Sequence, residues 1–480
     1  MPELTYRRRM LVLGICCMSL LIVSLDNTIL NVALPSMQKD FHTSVSGLQW
    51  TIDAYLVVIA SLLLLAGSTA DRIGRKRVFQ SGLVLFTLGS LLCSLAPGLG
   101  WLIVFRMVQA VGGSMLNPVA MSIITNTFSD ARERARAIGV WGGVVGISMA
   151  AGPIVGGALV ESVGWRSIFW INLPVGVVAL ALTARFVPES RAPRARRTDP
   201  VGQVLVIALL GSLTYGIIQG SEAGWTSPEI IGCFVLAALS LAGLARYETR
   251  RDDPLIDTRF FRSAPFSGAT VIAVCAFAAL GGFLFLNTLY LQNDRGMSAL
   301  RAGLYMLPMA LMCLVFAPLS GRLVGARGPR LPLALAGVMM TASGVLLAAL
   351  DAQSSNALLF TSYVLFGIGF GLVNAPITNT AVSGMPRAQA GVAAAVASTS
   401  RQVGQSLGVA VLGAALAAGL HEGSWWIITG CGAAVLALGL LTTGAWARGT
   451  ATRTAELLMT PEEAADPAAP GGPPRKTVKA

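Results

Sequence analysis

Four ionisable side chains stand inside otherwise apolar runs of this 480-residue sequence: Asp26, Asp53, Arg106 and Arg401. Moving such a group from water into hydrocarbon costs roughly 2.5–3.5 kcal/mol, so each needs a chemical or structural reason for its place. A buried carboxylate can take up and return a proton, because desolvation favours the neutral acid and a neighbouring cation favours the anion. Asp26 is the first candidate for such a proton site, with Arg106 tuning it or competing with a substrate for it. Asp53 is a second protonatable group or a recognition site for a cation. Structural readings stay open for each. Asp26 could tie two helices together through a polar seam with Asn27 and Asn31, Asp53 could be solvated at the outer surface, and Arg106 could reach the interface or a backbone carbonyl. Arg401, beside Gln402 and Gln405, could face a cavity, snorkel or pair between domains.

The elements that must hold these groups follow from bulk chemistry. The chain is 54% hydrophobic and 12% charged, about half the charge that a soluble surface needs. A bilayer core about 30 Å thick is crossed by about 20 apolar residues in a helix. Reading apolar runs against turn and charge signals gives fourteen spans, the first near 10–34 and the last near 425–447. The opening Arg7, Arg8 and Arg9 resemble the start of a signal peptide, but the run continues through Asp26 with no small-residue cleavage site, so it reads as an uncleaved first helix. At a rise of 1.5 Å per residue, Asp26 lies about 12 Å, and Asp53 and Arg106 about 8 Å, below the outer ends of their helices.

Charge gives the orientation. Sorting the loops to alternate sides, with the N-terminus inside, puts 23 Lys and Arg residues on the inner face and four on the outer: Lys39, Arg166, Arg295 and Arg301. Cytoplasmic loops carry such an excess, so the net charge of +12 is explained without nucleic acid. Both termini are expected in the cytoplasm, and the chain in a bacterial cell membrane. The seven cysteines lie in apolar spans and read as small core residues, and the two histidines are too few for a metal cluster. No metal and no cofactor is expected. No GxxxxGK[ST] phosphate loop occurs, which leaves a gradient as the driving force. No nucleophile, base and orienting group cluster in the sequence, so an enzyme is not expected.

The inner loop after the second span reads GSTADRIGRKRVF and that after the tenth reads GRLVGARGPRL, with Gly67 and Gly74 spaced as Gly321 and Gly328 are. Two parallel six-helix halves would place these loops equivalently. The expected organisation is an all-α membrane protein with an N-terminal bundle over 1–187, a linker with two inserted helices over 188–262, a second bundle over 263–447 and a disordered cytoplasmic tail over 448–480. The fifth span carries Gly139, Gly142, Gly143, Gly146, Gly152, Pro153, Gly156 and Gly157, a small-residue face that permits close helix approach.

Several segments together carry a resemblance. They are LDNTILNVALP (25–35), LQWTIDAYL (48–56), GSTADRIGRKRV (67–78), RMVQAVGGS (106–114), GISMAAGPIVGG (146–157) and WRSIFWINLPVG (165–176). The chain resembles the 14-helix drug:proton antiporter family of the major facilitator superfamily over about residues 10–447, and within it the antibiotic-resistance exporters of actinomycetes. Ala110 stands where the family usually has glycine. The resemblance implies the major facilitator fold and export of small amphipathic compounds in exchange for protons. It also implies a cytoplasmic latch between the halves formed by Gly67, Asp71, Arg72, Gly74, Arg75 and Lys76, against the plainer reading of orientation by charge. A coupling of Gly146, Gly152, Pro153, Gly156 and Gly157 to export rests on the same resemblance. Uptake by proton symport, and a sensor that kept the fold without transport, remain as alternatives.

The fourteen spans place no acid in the inserted pair or the second half, so a neutral or monovalent amphipath fits better than a dication. Tyr55, Gln109, Trp141, Tyr215 and Phe283 are candidate cavity residues, as are Asn287, Met306, Asn374, Asn379 and Arg401; plain packing is the competing reading for the aromatic and Met residues. The remaining expected partners are protons and the lipid bilayer, and a monomer is expected.

Overall fold

The structure is a computed structural model that describes residues 5–128, 130–191, 199–251, 254, 256–351, 353–386 and 389–458. Arg194, Arg196, Arg197 and Arg387 of the inner-loop set, and the tail from 459 onward, lie outside the described residues.

In hydrocarbon every backbone polar group must be satisfied within its own segment, and a chain this apolar meets that demand with helices. The first half holds α1 (Tyr6–Phe41), α2 (Val45–Ile73), α3 (Arg75–Ser94), α4 (Leu99–Thr127) and α5 (Ala131–Ser162), followed by one interrupted helix, α6 (Ser167–Trp170) and α7 (Asn172–Phe186). Next come α8 (Pro200–Ala223) and α9 (Pro228–Glu248). The second half holds α10 (Ala264–Leu289), a broken helix α11 (Ala299–Tyr305) and α12 (Leu307–Arg327), then α13 (Arg330–Ala348), α14 (Asn356–Val382), α15 (Ala390–Ala417) and α16 (His421–Leu441). A last helix, α17 (Ala445–Leu458), corrects the expectation of disorder from 448. It buries Ala447, Ala451, Ala455 and Leu458, and its Thr450 hydroxyl accepts a hydrogen bond from the Ala264 N–H at 2.9 Å. The alanine spacing of four that makes this face was overlooked beside the Pro-rich run that follows.

Local chemistry sets the ends. Asp130 caps α5 by accepting from the N–H groups of Arg132 and Glu133, and Ser227 caps α9 ahead of Pro228, the order that helix starts prefer. Gly74 and Gly328, the paired turn glycines, have φ of 126° and 78°, values that glycine adopts without strain.

Thirteen helices of the described residues are long and apolar enough to cross a bilayer. The remaining long one, α15, has 28 residues but carries Ser398, Thr399, Ser400, Arg401, Gln402, Gln405 and Ser406. Its polarity has a place to go, because α15 packs between α10, α2 and α8.

The packing repeats. In the first half α1 packs on α5, α3 on α4 and α3 on α7; in the second α10 packs on α15, α13 on α14 and α13 on α16. Across the halves α2 meets α15, and α5 meets α11 and α12. The second element of each half therefore rests on the fifth of the other. Inserted α8 lies along one of these seams, packing on both α2 and α15. Gln203 of α8 donates to the Ser61 carbonyl at 2.6 Å, and Ser46 of α2 donates to Glu222 of α8 at 2.5 Å.

Candidate functional site

Asp26 is 4% exposed and Arg106 is wholly buried. The Arg106 Nη1 donates to Asp26 Oδ2 at 2.5 Å and to Gln109 Oε1 at 2.8 Å, while its Nε donates to the Thr51 carbonyl at 3.3 Å. The guanidinium lies 4.1 Å from the centre of the Tyr55 ring, a cation–π distance. The other carboxylate oxygen of Asp26 accepts from Gln109 Nε2 and from Asn172 Nδ2, each at 2.9 Å. Ser90 joins the group by accepting from Asn172 at 3.0 Å and donating to the Phe169 carbonyl at 3.0 Å.

Five elements converge on this one carboxylate. Asp26 comes from α1, Thr51 and Tyr55 from α2, Ser90 from α3, Arg106 and Gln109 from α4, and Asn172 from the restart of the helix broken at Ile171. Asp26 only accepts here, and each of these partners donates to it. Breaking a buried pair of this kind by removing one member costs about 3–5 kcal/mol. Three further buried polar atoms have no partner: Arg106 Nη2, the Tyr55 hydroxyl and Asn172 Oδ1.

Asp53 has a different setting. It is wholly buried, neither oxygen makes a hydrogen bond, and Arg106 is committed to Asp26. It lies on α2 facing the Ser406 hydroxyl of α15, in the seam between the halves. The alternative reading of outer-surface solvation fails for this residue.

That seam is closed toward the face where α1 ends, here the far face. Gln49 donates to the Val409 and Ala410 carbonyls at 3.0 and 2.7 Å. Gln292 donates to the Val32 carbonyl at 2.9 Å, and the Leu300 N–H donates to Glu161 at 3.3 Å. The glycines of α5 divide between two partners: a Cβ at Gly152 or Gly156 would crowd Thr28 or Ile29 of α1, one at Gly157 would lie 2.6 Å from the Ala299 oxygen of α11, and one at Gly146 would lie 2.9 Å from Leu314 of α12. Gly303 of α11 answers from the other side against the Pro153 carbonyl. Toward the near face, where the chain starts, Gly139, Gly142 and Gly143 meet nothing within 4 Å. The halves touch at the far end, and toward the near end these glycines of α5 meet no neighbour.

The loop residues Asp71 and Arg75 pair with each other at 2.8 Å. The Lys76 N–H donates to Glu189 at 3.0 Å and its Nζ to the Ala184 carbonyl at 2.8 Å. The turn is thus tied to the end of α7 in its own half, and Gly67 has open space where a Cβ would be.

The expected cavity set is scattered. Tyr55 and Gln109 join the Asp26 group, and Asn374 meets Arg401, whose Nη2 donates to the Asn374 carbonyl at 3.5 Å and to Thr378 at 2.5 Å. Trp141 is partly buried with an unpaired indole N–H, and Asn379 is exposed. Phe283 and Asn287 are corrections. Phe283 stacks on Phe366 at 4.2 Å and Asn287 is bonded to the Tyr363 hydroxyl at 2.6 Å, both inside the second half's core. Tyr215 donates to Glu229 at 2.5 Å within the inserted pair and meets the Trp50 ring of α2 at 5.8 Å. Met306, 5% exposed, sits at the break between α11 and α12. Ser90 and Asn172 were missed. Asn172 stood inside the WRSIFWINLPVG segment, whereas nothing in the sequence marks Ser90.

Residues 16–409 match the family described as Major Facilitator Superfamily. The chain is 38% identical over 414 residues to the multidrug resistance protein Stp of Mycobacterium tuberculosis, covering 86% of this chain and 77% of that protein. It is 38% identical over 400 residues to the tetracenomycin C resistance and export protein of Streptomyces glaucescens, covering 83% and 74%. A crystal structure of a POT family transporter in complex with 5-aminolevulinic acid superposes with a TM-score of 0.69 at 16% identity, covering 90% of this chain and 96% of that one.

Proposed function

The chain belongs to the Major Facilitator Superfamily, and from that premise we propose that it is a proton-coupled antiporter, a monomer, which exports small neutral or monovalent amphipathic drugs or antibiotics from the cytoplasm. The observation that carries the coupling is Asp26, a buried carboxylate held by Arg106, Gln109 and Asn172. The direction is supported by relatives whose names specify resistance and export. The near face, with its excess of Arg, fits the cytoplasmic side, and the contacts at the far end support a state closed outward.

A proton arriving on Asp26 removes the charge that holds Arg106 and turns one carboxylate oxygen into a donor. The pair loosens, and Arg106 must take other acceptors: the Thr51 carbonyl, Gln109 and the Tyr55 face are already in place. Substrate and proton then compete for one arrangement of charges, which is the requirement for exchange. One proton falling through about 150 mV supplies roughly 3.5 kcal/mol, enough for a several-hundred-fold substrate ratio.

Asp53 is the second protonatable site. A carboxylate with only the Ser406 hydroxyl of α15 beside it is costly to bury as an anion, so closure of α2 on α15 takes Asp53 in with a proton acquired from outside. Asp53→Asn is expected to favour the closed far face at every external pH and to flatten the dependence of export rate on external pH. Spin labels at Lys39 and Arg301, in a cysteine-depleted background, would read the far-face distance; a distance that still lengthens on external alkalinisation in the variant would refute this role.

The overall reading is tested with inside-out vesicles and a panel of dyes and antibiotics. Uptake that an uncoupler abolishes is expected. Uptake indifferent to the proton gradient would overturn the coupling, and uptake only in right-side-out vesicles would favour import.

A further inference from the structure

Helix α9 touches the rest of the protein chiefly through α8. Only 17% of its apolar stretch is buried, and Val235, Leu236 and Leu239 stand 51, 49 and 65% exposed. At its near-face end its character changes. Gly243, Arg246, Tyr247 and Arg250 share one face by their spacing, and with Arg251 they line a cavity of about 340 Å³ that no acidic side chain of the described residues lines. Arg251 is committed elsewhere, donating to Asp199 at 2.7 Å and to the Tyr247 hydroxyl at 2.6 Å. That bond fixes the phenol ring. Arg246 and Arg250 are exposed and have no acidic partner among the described residues.

We propose that this pocket binds the headgroup of an anionic phospholipid whose acyl chains lie along the exposed apolar face of α9. Orientation of the chain by positive charge needs arginines only somewhere in the loop. It does not need two guanidiniums without an acidic partner among the described residues on one helix face, beside a tyrosine that Arg251 holds at the end of the apolar stretch. Basic pockets at this depth suit anionic headgroups. The apolar surface continuing into the membrane distinguishes a lipid from a soluble anion. A lipid held here would anchor α9, and through it α8, against the seam of α2 and α15. The inference rests on the chain spanning a membrane and not on what it transports.

Native mass spectrometry of the purified full chain tests it, with phosphatidylglycerol and phosphatidylcholine of identical acyl chains as probes. The wild type is expected to retain phosphatidylglycerol in preference. Arg246→Gln with Arg250→Gln should lower that preference about tenfold, whereas Arg448→Gln with Arg453→Gln, exposed arginines of α17, should leave it unchanged. Equal loss in both double variants, or no loss in the first, would overturn the site. Displacement of the lipid by soluble glycerol phosphate at matched concentration would overturn the lipid in favour of a plain anion site.

Discussion

Asp26→Asn is expected to abolish proton-driven accumulation in inside-out vesicles, by a factor of about 100 or more, while substrate still exchanges down its own gradient. The amide keeps the shape of the carboxylate but carries no titrating proton, so the cycle loses its coupling and not its pathway. A second effect follows from the geometry. Arg106 is wholly buried and Asp26 is its one ionic partner among the described residues, so the single substitution leaves it only neutral acceptors, as protonation of Asp26 does, and lowers stability. Thermal unfolding of the detergent-solubilised protein should show this loss. Replacing both members, Asp26→Asn with Arg106→Met, removes the uncompensated charge and should restore most of the stability without restoring coupled uptake. That divergence separates a proton carrier from a structural tie. Accumulation that survives in the stable double variant would sink the assignment of Asp26.

Gly303→Val is expected to hold the far face open. Its new side chain would overlap the Pro153 carbonyl, backbone that a rotamer change cannot move aside. Overpacking of this kind costs roughly 1–3 kcal/mol, which shifts a two-state equilibrium by about 5- to 150-fold. Because the clash lies between the halves and not within one, folding should be spared and the closed-far-face state alone penalised. The distance between labels at Lys39 and Arg301 should lengthen and export should fall. Gly139→Val, in the small-residue run of α5 that Gly303 packs against but with nothing within 4 Å, is the control that should change neither. An unchanged label distance in Gly303→Val would mean that α5 and α11 do not form the closing contact.

Much of this architecture is legible before any coordinates. Helices in lipid are specified by apolar length, and the alternation of charge fixes their order of crossing, so the spans emerge within a few residues of their ends. Asp26 and Arg106 stand out because an ionised group in hydrocarbon is rare. Their pairing does not, since estimated depth brings three charged residues to similar levels and cannot say which two face each other. Asp53 shows the gap most clearly. Sequence places it near the outer end of α2, where solvation was a reasonable reading, and only the packing of α15 reveals that it is sealed. Phe283 and Asn287 mislead for a related reason: an aromatic and an amide on an apolar helix look alike whether they line a cavity or fill a core. Ser90 carries no signal at all, because a serine in a membrane helix most often satisfies itself on a nearby carbonyl.

The crossed pairing of α2 with α15 and of α5 with α11 gives the molecule an economy of change. Closure at the far end depends on glycines and backbone carbonyls, features with few acceptable substitutes, whereas the near end presents exposed side chains that touch little. Substitutions can therefore accumulate at the near end without disturbing the contacts that close the far end. A drug exporter built this way could change its exposed near-end side chains while its far-end backbone contacts stay as they are.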